Sequence, residues 1–177
     1  FYHIGYSSTI IAFYLFPLLM FKEKGILNLI KSFFLNKKNY YFIFIFLAYI
    51  FYLVTFYDFN QQSIEGKGVI HKISLILFNT NLSKMIFIYF SFFLSWLIIL
   101  IYIGNKLNDF LIVVYLFILS IFLWPMFQEY FDPLILLLAF TFFTTKIYIN
   151  YKNSIILLTY LLIFLIGANV YYLRTLN

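Results

Sequence analysis

The chain has 177 residues, of which 65% are hydrophobic, 25% are aromatic and only 10% are charged, and its formal net charge is +6. A water-soluble domain has about 45–50% apolar and about 25% charged residues, so this composition excludes a soluble fold and indicates a protein of the lipid bilayer. The absence of cysteine excludes disulfides, thiolate metal sites and a cysteine nucleophile.

Apolar runs bounded by charge predict the membrane-spanning helices in chain order. A span needs roughly 20 apolar residues, and continuous runs without barrel-like alternation favour helices over strands. The predicted spans are 4–21, 40–57, 85–103, 110–126, 133–149 and 154–173. We therefore expect an all-α polytopic transmembrane bundle of about six helices in one membrane domain, residues 1–177. Since the chain opens at Phe1 with no initiator Met, we expect it to be the C-terminal part of a larger protein.

Two connections predict further helices that lie in the membrane interface or re-enter the membrane. Residues 26–35, ILNLIKSFFL, place Asn28, Lys31 and Ser32 on one helical face, with leucine and phenylalanine on the other. The connection 58–84 begins polar and turns apolar at 69–78, a stretch too short to span a bilayer.

The distribution of lysine predicts which connections face the cytoplasm. Eight lysines lie in 22–39, 104–109 and 146–153, whereas 58–84, 127–132 and the C-terminal tail hold four basic residues. The positive-inside rule therefore assigns the first set to the cytoplasm. This topology explains the net positive charge. The sequence has no basic groove interleaved with aromatic residues, so nucleic-acid binding is not predicted.

The turn WPMFQEYFDP, residues 124–133, is the sharpest cluster of polar groups on the predicted outer side. It carries Glu129 and Asp132 between two apolar helices, with Gln128 and Tyr130 beside them. Aromatic walls can stack on a sugar ring, and a carboxylate can orient hydroxyls or act as a base, so the two carboxylates are candidate catalytic groups. An ordinary Asp-Pro turn with interfacial aromatic residues explains the same sequence.

The segment EGKGVIHK, residues 65–72, is the second candidate. Glycines on both sides of Lys67 permit a tight turn whose backbone amides can approach a phosphate. Lys67, His71 and Lys72 supply positive charge there and are candidate substrate-binding residues, together with Gln128 and Tyr130. Lysines that only meet lipid headgroups are the simpler explanation.

Other chemical signatures are absent from the sequence. His3 and His71 are the only histidines and have no metal-ligand spacing, and there is no GxSxG motif, so neither a metal nor a cofactor is predicted. The acidic residues all lie at or beyond predicted helix ends, which argues against a proton pump.

The order of these features resembles the C-terminal half of the GT-C polytopic glycosyltransferases, over about residues 40–150. Within that group the layout is most similar to the dolichyl-phosphate-glucose-dependent alpha-1,2-glucosyltransferases. Those enzymes carry a histidine ahead of an amphipathic stretch, as His71 precedes KISLILF here, and a later Pro, Glu, Tyr, Phe, Pro turn. The residues that match this turn are Pro125, Glu129, Tyr130, Phe131 and Pro133.

The resemblance implies transfer of a sugar from a polyprenyl-phosphate donor to a lipid-linked or envelope glycan acceptor at the outer face. A carboxylate would deprotonate the acceptor hydroxyl, while positive charge stabilises the departing lipid phosphate. Glu129 and Asp132 would then lie on the acceptor side, and Lys67, His71 and Lys72 on the phosphate side. The implied location is the bacterial inner membrane or the endoplasmic reticulum, as a multi-pass integral membrane protein.

Two other classes of function fit the same sequence. A polysaccharide polymerase, ligase or flippase would share the multi-span layout and the polar loops on the outer face. A non-catalytic hydrophobic subunit of a membrane complex can also be this rich in phenylalanine, although such subunits usually carry charges in mid-helix.

Overall fold

The computed structural model describes residues 2–22, 25–56, 68–104, 106–122, 131–144 and 147–176, with the backbone alone at 132, 133 and 172–176. Eight α-helices and no strand occur in these ranges, which confirms the all-α prediction for the described part of the chain. The helices are α1 His3–Met20, α2 Ile26–Leu35, α3 Lys37–Phe56, α4 Gly68–Leu77, α5 Asn81–Ile103, α6 Leu107–Phe122, α7 Asp132–Thr141 and α8 Tyr151–Leu176.

Four of these helices, α1, α3, α5 and α8, are long and apolar enough to cross a bilayer. They overlap the predicted spans 4–21, 40–57, 85–103 and 154–173. The other two predicted spans, 110–126 and 133–149, overlap α6 and α7, of which the described residues include 16 and 10. A bundle of six membrane-spanning helices therefore stays a prediction.

The end of α7 shows why its helix is shorter than the apolar run that contains it. The amides of Phe142 and Phe143 both donate to the carbonyl of Leu138, which closes the last helical turn. The next amide, that of Thr144, donates to the side chain of Asp109 instead of continuing the helix. A polar partner from a distant part of the chain thus replaces the next helical hydrogen bond.

Helices α1 and α5 form the centre of the structure. Helix α1 packs against α4, α5, α6, α7 and α8, and α5 also contacts α2 and α3. Gly5 of α1, which faces the ring of Phe92, allows a close approach to α5, and Ser8 and Ala12 are further small residues buried in α1. The serine hydroxyl donates to the carbonyl of Gly5 at 2.7 Å, so the helix satisfies its own polar side chain.

Helices α3 and α8 lie on the outside of the structure. No residue of the apolar stretch Tyr151–Tyr171 of α8 is buried, and α3 buries only Asn39, Phe46 and Leu53. Leucine, isoleucine and phenylalanine side chains cover their exposed faces. Large exposed apolar surfaces of this kind are typical of contact with a lipid bilayer.

The two ends of the bundle collect different connections. At one end the amide of Tyr148 donates to the carbonyl of Phe21, and the ammonium of Lys22 donates to the carbonyl of Tyr102. At the other end His71 of α4 contacts Tyr6 in the first turns of α1. The connections rich in lysine therefore meet at one end, and α4 lies at the opposite end; which end faces the cytoplasm stays a prediction.

Candidate functional site

Helix α4 carries the two predicted site residues whose side chains the structure describes, His71 and Lys72. The helix begins at Gly68, whose φ of 69° lies in the left-handed region that favours glycine. This backbone conformation fits the tight turn that the sequence predicts around Lys67. Lys67 itself, with Gln128, Glu129 and Tyr130, lies outside the described residues.

His71 is buried between α4 and α1, with 4% of its surface exposed. Its ring meets the ring of Tyr6 edge to face, with the centroids 6.4 Å apart and the planes at 83°. Its backbone carbonyl accepts a hydrogen bond from the hydroxyl of Ser74 at 2.6 Å, which holds the turn of α4 that carries it. The imidazole therefore has a packing role at this end of the bundle.

Lys72, the next residue, points towards α8. Its ammonium lies 5.4 Å from the centroid of the Tyr171 ring, within the range of a cation–π contact. Tyr171 lies near the C-terminal end of α8, three residues before Arg174. The ammonium therefore lies near the C-terminal end of α8, and in a bilayer crossed by α8 this is the level at which lysine meets lipid phosphate.

Asp132 opens α7, and Pro133 occupies the first turn, where the missing amide of proline costs no helical hydrogen bond. Helix α7 runs from Asp132 towards the lysine-rich end, where the ring of Phe143 lies 5.6 Å from that of Tyr102. Asp132 is therefore at the end of α7 that is farther from the lysine-rich connections. The side chain of Asp132 lies outside the described residues, so its role as an acceptor-side carboxylate stays a prediction.

A second polar cluster, which the sequence interpretation passed over, surrounds Asp109 in the first turn of α6. Asp109 is fully buried, and its Oδ1 accepts hydrogen bonds from the amide and the hydroxyl of Thr144, both at 2.8 Å. Lys106 donates to the carbonyl of the same threonine. The sequence signal was an acidic residue inside the start of an apolar run, which is costly in a membrane protein unless it is paired.

Lys22 completes this cluster from the end of α1. Its ammonium lies 4.5 Å from the centroid of the Tyr102 ring and donates to the carbonyl of the same residue. The pKa of Lys22 is lowered to about 8, chiefly by burial and next by repulsion from Lys106, while attraction by Asp109 acts in the opposite direction. The carbonyl of Tyr102 is one of the last in α5, so the lysine also caps that helix.

Within the described ranges no group of three histidine, cysteine or acidic residues could hold a metal ion. Comparison of the chain with protein-family models, with curated proteins and with solved structures finds no match.

Proposed function

We propose that the chain is a multi-pass membrane domain that transfers a sugar from a polyprenyl-phosphate donor to a glycan acceptor at the membrane surface. The observation that carries the proposal is the position of α4. This ten-residue helix is too short to cross a bilayer, yet it packs against the central helices α1 and α5 at the end opposite the lysine-rich connections. It brings His71 and Lys72 to that end.

The chemistry would divide between two groups of residues. Lys72, beside Tyr171 at the end of α8, is suited to hold a lipid phosphate, and Lys67 precedes the same helix. Glu129 and Asp132 would orient the acceptor hydroxyl and remove its proton. His71, which packs against Tyr6, would donate a hydrogen bond to the leaving phosphate.

The proposed topology gives α2 and α4 interfacial positions on opposite sides of the membrane. Asn28, Lys31 and Ser32 on α2 are all exposed, while Phe33 is buried, as expected of a helix lying along the interface. Lysine-rich connections then face the cytoplasm. Apolar α3 and α8 would contact the acyl chains.

Cysteine labelling tests this topology cleanly because the chain has no cysteine of its own. Lys31→Cys should react with a membrane-impermeant maleimide only after cells are permeabilised. Thr80→Cys, at an exposed position between α4 and α5, should react in intact cells. Equal labelling of both variants in intact cells would contradict the topology.

Sugar transfer is tested in the full-length protein by measuring turnover of a radiolabelled polyprenyl-phosphate sugar into lipid-linked glycan. Glu129→Ala and Asp132→Ala should each lower turnover by at least about 100-fold if they act as acid–base groups. Lys31→Ala, on α2 at the opposite end, is the control and should retain wild-type turnover.

His71 needs a variant that separates chemistry from packing. His71→Phe keeps an aromatic ring against Tyr6 but removes the imidazole nitrogens. We expect normal membrane insertion with turnover lowered about tenfold or more. Wild-type turnover in His71→Phe, Glu129→Ala and Asp132→Ala together, with normal insertion, would refute the site.

A further inference from the structure

Two lysine ammonium groups are held on neighbouring segments at the lysine-rich end, where the ring of Tyr102 lies 5.6 Å from that of Phe143, the residue before Thr144. Lys22 follows α1 and donates to the carbonyl of Tyr102, and Lys106 precedes α6 and donates to the carbonyl of Thr144. Lys22 is also held over the ring of Tyr102. Because backbone groups hold both side chains, their positive charges stay in place rather than moving freely in water.

The neighbouring carboxylate does not neutralise this pair. Asp109 is fully buried, and Thr144 already donates its amide and its hydroxyl to Oδ1. Repulsion by Lys106 affects the pKa of Lys22 more than attraction by Asp109 does. The surroundings of Lys22 are therefore net positive, and an anion between the two ammonium groups would relieve their repulsion.

We propose that Lys22 and Lys106 together bind the phosphate of an anionic phospholipid headgroup at this end of the bundle. An ammonium has three N–H donors, and the hydrogen bonds described above use one donor of each lysine. The remaining donors can be shared by phosphate oxygens.

Exposed apolar side chains next to both lysines favour a lipid over a free anion. Met20 precedes the Lys22 loop and is 54% exposed, and Leu107 follows Lys106 and is 69% exposed. These side chains lie where the acyl chains of a lipid bound by its headgroup would run. A free phosphate has no apolar part that could contact these side chains.

Native mass spectrometry of the full chain in uncharged detergent tests the proposal, with phosphatidylglycerol as the added lipid. Each lysine near an anionic headgroup contributes about fivefold in affinity, so Lys22→Gln/Lys106→Gln should weaken lipid binding about 25-fold. Lys22→Arg/Lys106→Arg keeps both charges and should bind within about threefold of wild type.

Lys37→Gln/Lys38→Gln is the matched control, because these lysines are exposed at the start of α3 on the same lysine-rich end. It should change binding less than about twofold, because these ammonium groups do not contact the bound headgroup and act on it only through water and salt, which screen charge interactions beyond about 10 Å. Equal weakening by the two glutamine pairs would overturn the proposal, as would unchanged binding in Lys22→Gln/Lys106→Gln.

Two further measurements distinguish a lipid from a free anion and test the site if the double variant does not fold. Displacement of the lipid by millimolar inorganic phosphate would assign the site to a free anion and overturn the lipid assignment. If the double glutamine variant does not fold, Lys106→Gln alone, at an exposed position, should still weaken binding about fivefold, and no weakening would refute the site.

Discussion

The hydroxyl of Tyr160 on α8 donates a hydrogen bond to the backbone carbonyl of Phe13 on α1, at 3.1 Å. Phe13 lies four residues before Pro17, which is buried inside α1 and has no amide hydrogen to give to that carbonyl. In a membrane an unsatisfied carbonyl is costly, so a donor from a neighbouring helix is valuable. Tyr160 thus supplies the hydrogen bond that proline removes, and it fixes α8 against α1.

Removing this hydroxyl should loosen α8. We expect Tyr160→Phe to lower the free energy of unfolding in detergent by about 1 kcal/mol, the usual value for a hydrogen bond between membrane helices. The phenyl ring keeps the contact with the ring of Phe13, so the loss reports the hydroxyl alone. Tyr115→Phe, at an exposed position on α6, is the control and should have no effect.

A double-mutant cycle tests whether Pro17 is the reason for this hydrogen bond. Pro17→Ala restores an amide that can donate to the carbonyl of Phe13 within α1. Tyr160→Phe should then cost less than about 0.5 kcal/mol in the Pro17→Ala background. The same cost in both backgrounds would show that the two groups act independently.

The approach of α1 to α5 leaves no room for a side chain at Gly5. A methyl group there would overlap the ring of Phe92, which itself packs against the ring of Tyr6 at a centroid distance of 5.0 Å. We expect Gly5→Ala to lower the free energy of unfolding by about 1–3 kcal/mol through overpacking. Thermal unfolding in detergent measures the effect.

Gly167 on α8 is the matched control for Gly5. Nothing lies within 4 Å of a methyl group built at Gly167, so Gly167→Ala should be neutral or stabilise by up to about 1 kcal/mol through helix propensity. Combining Gly5→Ala with Phe92→Leu should recover part of the loss, because the smaller side chain vacates the space. Equal effects of the two alanine substitutions would contradict the packing explanation.

Local patterns in the sequence predicted some elements well and others poorly. The predicted bounds 26–35 of α2 agree with the structure because its polar and apolar residues alternate with helical periodicity, a local signal. Helix α7 ends at Thr141, earlier than its apolar run indicates, because Asp109 binds the amide of Thr144 from 35 positions away. Hydropathy depends only on local sequence and therefore cannot predict such a distant contact.

The candidate site was likewise predicted in part from local patterns in the sequence. Sequence alone located His71 on a short helix beside a glycine turn, which agrees with α4. Its burial against Tyr6 depends on how α4 packs on α1, and no sequence pattern reveals that contact. Lys22 and Lys106 were interpreted only as markers of sidedness, because their approach needs the ends of α1 and α6 to meet.

Loss of the Asp109 side chain should release the residues that follow α7 from the start of α6. Asp109→Ala leaves the amide and the hydroxyl of Thr144 without their acceptor, and we expect it to cost about 2–4 kcal/mol. Asp109→Asn keeps an oxygen in the same place and should cost about half as much. Asn108→Ala, at the exposed neighbouring position, should be neutral, and amide hydrogen exchange at Thr144 should rise only in the Asp109 variants.

The lowered pKa of Lys22 predicts a pH dependence of stability. Lys22 releases its proton near pH 8 in the native state and near 10.5 in the unfolded state. Between these values the unfolded state holds more protons, so the free energy of unfolding should rise with pH, by at most ~3 kcal/mol. Below pH 8 the lysine is charged in both states, and its penalty is present in full.

Lys22→Met isolates this effect, because it keeps the length of the side chain and cannot be charged. In uncharged detergent without added lipid, the wild type should gain stability between pH 8 and 10.5 relative to Lys22→Met. Below pH 8 the methionine variant should be the more stable of the two, since the wild type holds a half-buried charge repelled by Lys106. A wild-type advantage below pH 8 would mean that the contact with Tyr102 outweighs the desolvation of the ammonium. Phosphatidylglycerol should then reduce the difference between the two proteins if its headgroup binds beside Lys22, because a nearby anion raises the pKa of the lysine.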